Sequence, residues 1–296
     1  MNKVNNKAII WGVAALLVLL IGAAAYYLTN MPADIFTLAK TGTATEIKTA
    51  KTRGAKVNTR DKAGMSPLMV ALLESRDVEI INALLQAGAK TADKDRDGNT
   101  PLMYAAHYHS DPRVTNALLQ AGASVTDKNV DHMTPLMLAA EYNLNSEVIT
   151  ALAKSGAKID DRDRNGDTPL MFAARHNVNV KVTDALLQAG AKVNVRCGEG
   201  ETPLIYAAQD NTNPEVITAL LTAGANINDQ EDDGWTPLML AARNNKNPEI
   251  ITILLQAGAD AKIKSKEGKT ALEYAEMNDK VKISPAYEEL KKDSGD

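Results

Sequence analysis

The chain has 296 residues, 45% of them hydrophobic and 24% charged, with a formal charge of −4 and one cysteine. That balance excludes a disordered chain, and both signs of charge are interspersed with no basic stripe, which argues against nucleic-acid binding. The lone Cys197 excludes an intrachain disulfide framework and clustered thiolate metal sites, so stability has to come from packing.

The chain begins with an apolar run. Residues 8–28 carry no charge. As a helix they span roughly 31 Å, enough to cross a hydrocarbon core of about 30 Å. Trp11 lies near one end and Tyr26 and Tyr27 at the other, where amphipathic rings favour the interface. Lys3 and Lys7 are the only charges among the first 30 residues, which leaves −6 on the remainder, and the next basic residue is Lys40. The positive-inside rule therefore keeps residues 1–7 in the cytoplasm and sends the rest across. Two readings of the segment stand. A transmembrane signal anchor over 8–28 is favoured because the apolar run continues through Leu28; a cleaved signal peptide would use Ala23-Ala24-Ala25 as its A-x-A-like site. In both cases the repeats beyond the segment are exported. With no cysteine near the segment, a lipoprotein is excluded.

From there the chain repeats itself every 34 residues. The start signal reads Ser66-Pro67-Leu68, Thr100-Pro101-Leu102, Thr134-Pro135-Leu136, Thr168-Pro169-Leu170, Thr202-Pro203-Leu204, Thr236-Pro237-Leu238 and Thr270-Ala271-Leu272. In phase with it run Gly54, Gly88, Gly122, Gly156, Gly190, Gly224 and Gly258, each followed by alanine. A fixed period of this size signals a solenoid whose units bury their apolar faces only against neighbours. Residues 32–65 form a degenerate first unit, 66–269 six full repeats, and 270–296 a closing unit with the charged helix Pro285–Lys292.

Within one unit, Thr202 caps a first helix, with Pro203 at its first position and the small pair Ala207-Ala208 allowing close approach. Asn213 caps a second helix bearing the apolar stripe Val216, Ile217, Leu220 and Leu221, and Gly224 ends it. A polar, turn-rich loop comes next. The second-helix cap recurs as Asp77, Asp111, Asn145, Asn179, Asn213 and Asn247, with Thr45 assigned to the first unit. Phe36, Tyr104, Phe172, Tyr206 and Tyr274 are expected in the core.

These motifs resemble ankyrin repeats: Thr-Pro-Leu, Ala-Ala, the Leu-Leu pair and the Gly-Ala step all match, over about residues 32–294. The resemblance implies an all-α solenoid of helix-turn-helix units with projecting hairpin loops, here with one N-terminal transmembrane helix added. Two departures exist. The histidine usual after Thr-Pro-Leu is replaced by Met69, Met103, Met137, Met171, Ile205 and Met239, so thioether packing has to substitute for its hydrogen bonds. One extra residue separates the helices, and the Asn-Pro-Glu connection resembles repeats of bacterial ankyrin proteins.

The resemblance also implies a concave binding face built from the loops and first helices. Two variable columns after the Ala-Ala pair should point there: Leu73, His107, Glu141, Arg175, Gln209, Arg243, and Glu74, Tyr108, Tyr142, His176, Asp210, Asn244. Tyr108, Tyr142 and His176, with Arg175 and Arg243, form the candidate protein-binding patch, Tyr and Arg being favoured hot-spot residues. The alternative is that the tyrosines stack on one another or on loop backbone. Trp235, just before Thr236, is a further candidate contact unless it tucks against the next loop. His107 and His109 lie two apart and share no helix face, so no metal site is expected. His132 replaces a glycine found in six other loops and should need φ > 0. Cys197 has no evident base or resolving thiol and is read as unreactive.

The expectation is a non-catalytic, membrane-tethered protein-interaction scaffold in a bacterial envelope, on the periplasmic side and monomeric. It has a protein partner, no cofactor, no metal, no nucleic acid and no small-molecule substrate. Alternatives are an immunity or inhibitor protein neutralising a toxin or envelope enzyme, and a secreted effector. No triad, phosphate loop or metal spacing supports an enzyme.

Overall fold

A computed structural model describes residues 34–295. The expected membrane segment at 8–28, with its flanking residues 1–7, lies outside the described residues. Among the described residues no helix is long and apolar enough to cross a membrane.

Those residues form seventeen helices and no strand. The first unit holds α1 (Ile35–Thr41) and α2 (Ala44–Thr52). Helix pairs succeed it in the same order: α3 (Pro67–Glu74) with α4 (Val78–Gln86), α5 (Pro101–Tyr108) with α6 (Pro112–Gln120), and α7 (Pro135–Tyr142) with α8 (Ser146–Lys154). Next come α9 (Pro169–His176) with α10 (Val180–Gln188), α11 (Pro203–Asp210) with α12 (Pro214–Thr222), and α13 (Pro237–Asn244) with α14 (Glu249–Gln256). The last unit has α15 (Ala271–Ala275), α16 (Asp279–Lys282) and α17 (Pro285–Ser294), which seals the stack with Ala286, Tyr287 and Leu290. First helices pack on first helices and second on second, and the first-helix layer is the more closely packed. The face that this layer presents beside the loops is termed the inner face.

The start signal works as a reciprocal cap. The Thr100 hydroxyl accepts the Met103 N–H at 3.3 Å, and Met103 Sδ accepts the Thr100 N–H at 3.4 Å. Ser66 with Met69 and Thr134 with Met137 do the same. The methionine therefore does more than pack: its sulfur, a weak acceptor, satisfies a buried backbone donor. Ile205 has no such atom, and Thr202 receives only the one-way bond.

The second helices from α2 to α14 each end in a Schellman turn. In α4 the Gly88 N–H donates to Leu85 O and the Ala89 N–H to Leu84 O, both at 3.0 Å, with Gly88 at φ 89°. Second-helix caps lie where the spacing puts them, except in the first unit. There the cap is Thr43, in a capping box with Glu46, while Thr45 lies inside α2. Thr43 is 34 residues before Asp77, so the cap keeps register and no offset exists. Asn247 caps α14 by accepting the Glu249 N–H at 3.1 Å.

A buried asparagine ladder stitches the linkers together. Asn177 Nδ2 donates to Ala140 O (3.0 Å) and Asn143 O (2.8 Å), while its Oδ1 accepts the Asn179 N–H (3.0 Å). Asn143, Asn211 and Asn245 repeat this pattern on their preceding units. His109 holds the same position with one bond, Nε2 to Leu72 O at 2.7 Å, and among the described residues Ser75 makes no bond to the unit before it.

The loops are fingers closed by turns rather than by paired strands. In one, the Asp95 N–H donates to Asn99 O and the Gly98 N–H to Asp95 O, while Asp95 Oδ1 accepts the Asp97 and Asn99 N–H groups. Consecutive fingers are joined by single backbone bonds such as Val130 N–H to Asp97 O at 2.8 Å. A column of long side chains adds to this: Arg196 Nη1 donates to Gly200 O (2.9 Å) and to Gln230 O in the next finger (2.6 Å). His132 sits at φ 62°, the left-handed conformation its loop demands.

Of the aromatics expected in the core, Tyr206 and Tyr274 are buried, and Phe36, Tyr104 and Phe172 are partly buried and packed against it. All five occupy one column that borders the inner face, where coverage depends on the side chains of the neighbouring units.

Candidate protein-interaction face

The inner face carries three aromatic clusters. The first joins the units that start at Thr100 and Thr134. The His107 ring stacks on Tyr108 (3.9 Å between centroids, 14°) and on Tyr142 of the next unit (4.0 Å, 7°). Tyr104 lies 6.2 Å from Tyr108. Tyr108 and Tyr142 are each 47% exposed. The two tyrosines therefore do stack, through a histidine outside the expected patch, and still present open apolar area. Tyr104 donates its hydroxyl to Asp95 Oδ2 at 2.7 Å. Burial pushes its phenol up, and the Asp95 carboxylate pushes it further. Tyr142 is pushed up to about 12, by burial first and then by Glu141. Burial lowers His107, so its ring is a neutral π surface at neutral pH.

His107 and His109 do not converge. His109 is buried on the opposite side, against Leu72 O. Among the described residues no group of three or more His, Cys, Asp or Glu side chains could hold a metal ion.

A second cluster lies at the fingers of the next two units. Arg175 stacks over Tyr206 at 5.0 Å and donates Nε to Asp210 Oδ2 at 2.7 Å. The Tyr206 hydroxyl reaches Asp167 Oδ1 at 3.1 Å, within a polar pocket of about 590 Å³ that also holds Glu201 and Cys197. Burial raises the carboxyls of Asp167 and Glu201. Cys197 Sγ lies 3.5 Å from Glu201 Oε2 and 3.6 Å from the Tyr206 hydroxyl, neighbours the sequence did not reveal. Burial pushes the thiol up, so it stays protonated and poorly nucleophilic. His176 stands apart from this pocket, its Nε2 3.8 Å from Glu141 Oε1.

The third cluster contains Trp235, which tucks in. Its ring stacks on Tyr274 at 4.0 Å and Arg243 lies 4.9 Å above it. Arg243 also reaches Tyr274 at 5.7 Å. The six candidate residues thus do not form one patch. Tyr108 and Tyr142 stand together, Arg175 and His176 lie beside them at the next junction, and Arg243 with Trp235 forms a separate site two units further on. What sequence reasoning missed is the contact between units, His107 with Tyr142, Arg175 with Tyr206 and Arg243 with Tyr274, visible only once columns are laid across units.

No curated protein matches the chain. Among solved structures, the human ASB11 ankyrin repeat domain is similar, with 28% sequence identity and a TM-score of 0.66; the match covers 75% of this chain and 96% of that one. A family profile described as ankyrin repeats (3 copies) matches residues 35–129, 109–197, 136–231, 179–266 and 204–284. Those overlapping matches run without a gap from the first described helix into the last unit, and repeats of this kind serve in general as non-catalytic protein-interaction scaffolds. The chain belongs to the ankyrin repeat family.

Proposed function

We propose that this protein is a scaffold of a bacterial cell envelope, tethered by residues 8–28 with its repeats outside the cytoplasm, and that it binds a protein partner on its inner face. The observation that carries the binding reading is the Tyr108–His107–Tyr142 stack: two half-exposed rings held in place by a third. Rings fixed before binding lose little freedom when a partner arrives, so their apolar area converts efficiently into affinity. Arg175, His176, Arg243 and Trp235 would extend the contact along the face. The tether rests on the uncharged length of residues 8–28 and on Lys3 and Lys7 before it.

Crosslinking in intact cells, coupled to mass spectrometry, tests the binding reading. The double variant Tyr108→Ala/Tyr142→Ala should lose the recovered partner while melting within a few degrees of the parent, because the alanines and leucines beneath those rings stay buried. If it unfolds instead, the rings belong to the core. Intact mass of the protein extracted from membranes tests the tether: loss of residues up to Ala25 would make the segment a cleaved signal.

A second reading, an inhibitor that neutralises a basic toxin or envelope enzyme, is favoured by the finger Glu231-Asp232-Asp233, where the two aspartates are exposed. Its association would weaken steeply with salt, whereas contact through the aromatic stack would not.

A further inference from the structure

The inner-face column that contains Tyr104 holds two other tyrosines, Tyr206 and Tyr274. Each of these is covered by an arginine from the preceding unit, 31 residues earlier in the chain: Arg175 at 5.0 Å from the Tyr206 ring and Arg243 at 5.7 Å from the Tyr274 ring. The residue 31 before Tyr104 is Leu73, which brings no charge and is 39% exposed. Beside Tyr104 lies a slot of about 220 Å³, walled by Tyr104, Tyr108, His107 and Tyr142 over Met103 and Leu138. Three carboxylates border these rings. Asp95 is already saturated, its Oδ1 accepting the Asp97 and Asn99 N–H groups and its Oδ2 the Asn99 side-chain amide and the Tyr104 hydroxyl, which leaves Asp97, acting on the Tyr104 phenol, and Glu141, acting on Tyr142, as the carboxylates open to a cation. Among the described residues no lysine or arginine forms an ion pair with any of the three; Glu141 has His176 at 3.8 Å and feels Arg175, which is itself bound to Asp210. The neutral His107 ring adds no repulsion.

We propose that this slot receives one arginine side chain from an extended segment of the protein partner, filling from outside the place that Arg175 and Arg243 fill from within in later units. The chemistry is that of a guanidinium laid on electron-rich ring faces, with carboxylates at its edge to accept its N–H groups. This rests on the inner face being the binding face, and it adds what that face reads.

The test uses the full chain in detergent and a capped tripeptide probe, acetyl-Gly-Arg-Gly-amide. Capped tripeptides with glutamate or norleucine in place of arginine are the controls. Proton NMR of the tyrosine rings reads binding. The arginine probe should shift the Tyr104, Tyr108 and Tyr142 signals saturably, and the controls should not. Two variants sharpen the result without disturbing the fold, because each introduces a residue the molecule already uses in that column. Asp97→Asn with Glu141→Gln copies Asn165 and Gln209, and should weaken the probe roughly five-fold. Leu73→Arg copies Arg175 and Arg243, and should occupy the slot from within and abolish probe binding. Equal shifts with all three probes, no shift with any, or unchanged binding in Leu73→Arg would overturn the proposal. Failure here is separable from failure of the scaffold reading. A partner lost by Tyr108→Ala/Tyr142→Ala while the arginine probe leaves the rings unshifted keeps the inner face as the binding face and removes only the arginine.

Discussion

The two long edges of the stack solve one problem, joining each unit to the next, in different ways. At the linker edge the joint is a buried amide: Asn143, Asn177, Asn211 and Asn245, each giving two hydrogens to the preceding unit and taking one from its own loop. At the finger edge the joint is exposed, and Arg60, Lys94, Lys128, Arg162, Arg196 and Gln230 all reach a carbonyl of the next finger. Burial explains the contrast. A buried carbonyl left unpaired is costly, so only a side chain with the right donors at the right reach is suitable. At the exposed edge water competes for every group, and several residue types serve equally well.

The comparison breaks most sharply at Asn211. Asn211→Ala strands Ala174 O, Asn177 O and the Asn213 N–H, and should cost about 2–4 kcal/mol in denaturant unfolding. A cost below that of an exposed substitution would mean that water enters the linker edge and that the amides there are replaceable.

Next in size is a pH effect at His109, the one titratable member of the buried edge. Burial, chiefly, holds it below its ordinary value of 6.5, with Arg76 acting in the same direction and the Leu72 bond and Asp111 opposing. The unfolded chain therefore takes up the proton first as pH falls, and stability, complete above the ordinary value, declines below it. His109→Asn, the residue of the later units, should flatten that decline in urea titrations at successive pH values. The share from His107, lowered in the same sense, should remain.

At the finger edge the effects shrink. Arg196→Ala removes two carbonyl bonds and an ion pair with Asp229 at 3.0 Å, yet the side chain is 43% exposed, and the loss should stay under about 1 kcal/mol. His132→Gly should gain about 0.5 kcal/mol in thermal unfolding, because glycine adopts the φ of 62° without penalty but gives up more unfolded freedom. A loss on that substitution would show that the imidazole makes a contact worth more than the strain.

What the sequence displayed best was backbone demand. The Thr-Pro start, the asparagine and aspartate caps and the Gly-Ala step each answer a local requirement that one residue type meets, so they recur at a fixed spacing and reveal the helices. His132 was legible for the same reason, as the exception among glycines. The linker ladder was not, because its first two members are Ser75 and His109, which hide the column that Asn143 begins. The thioether bond of Met103 was missed because methionine is read as apolar. The first-unit cap went to Thr45 rather than Thr43 because no Pro or Glu stands directly after Thr43; the deciding partner, Glu46, lies a turn away. On the inner face single residues were legible but their partners were not, since Arg243 over Trp235 or His107 against Tyr142 joins side chains from different columns or different units.

Ser75 leaves the linker edge of the first joint without an amide bridge, so that Asn58, bonded to Gly88 O and the Lys90 N–H, joins those units elsewhere, while every later linker up to Asn278 has at least one bond to its predecessor. Drawn out by force from its two ends, such a chain should not give way all at once. The segment from Asp34 to Met65 would peel away first, at lower tension, and act as a compliant leash. The amide-stitched portion behind it would keep its shape until far harder pulling.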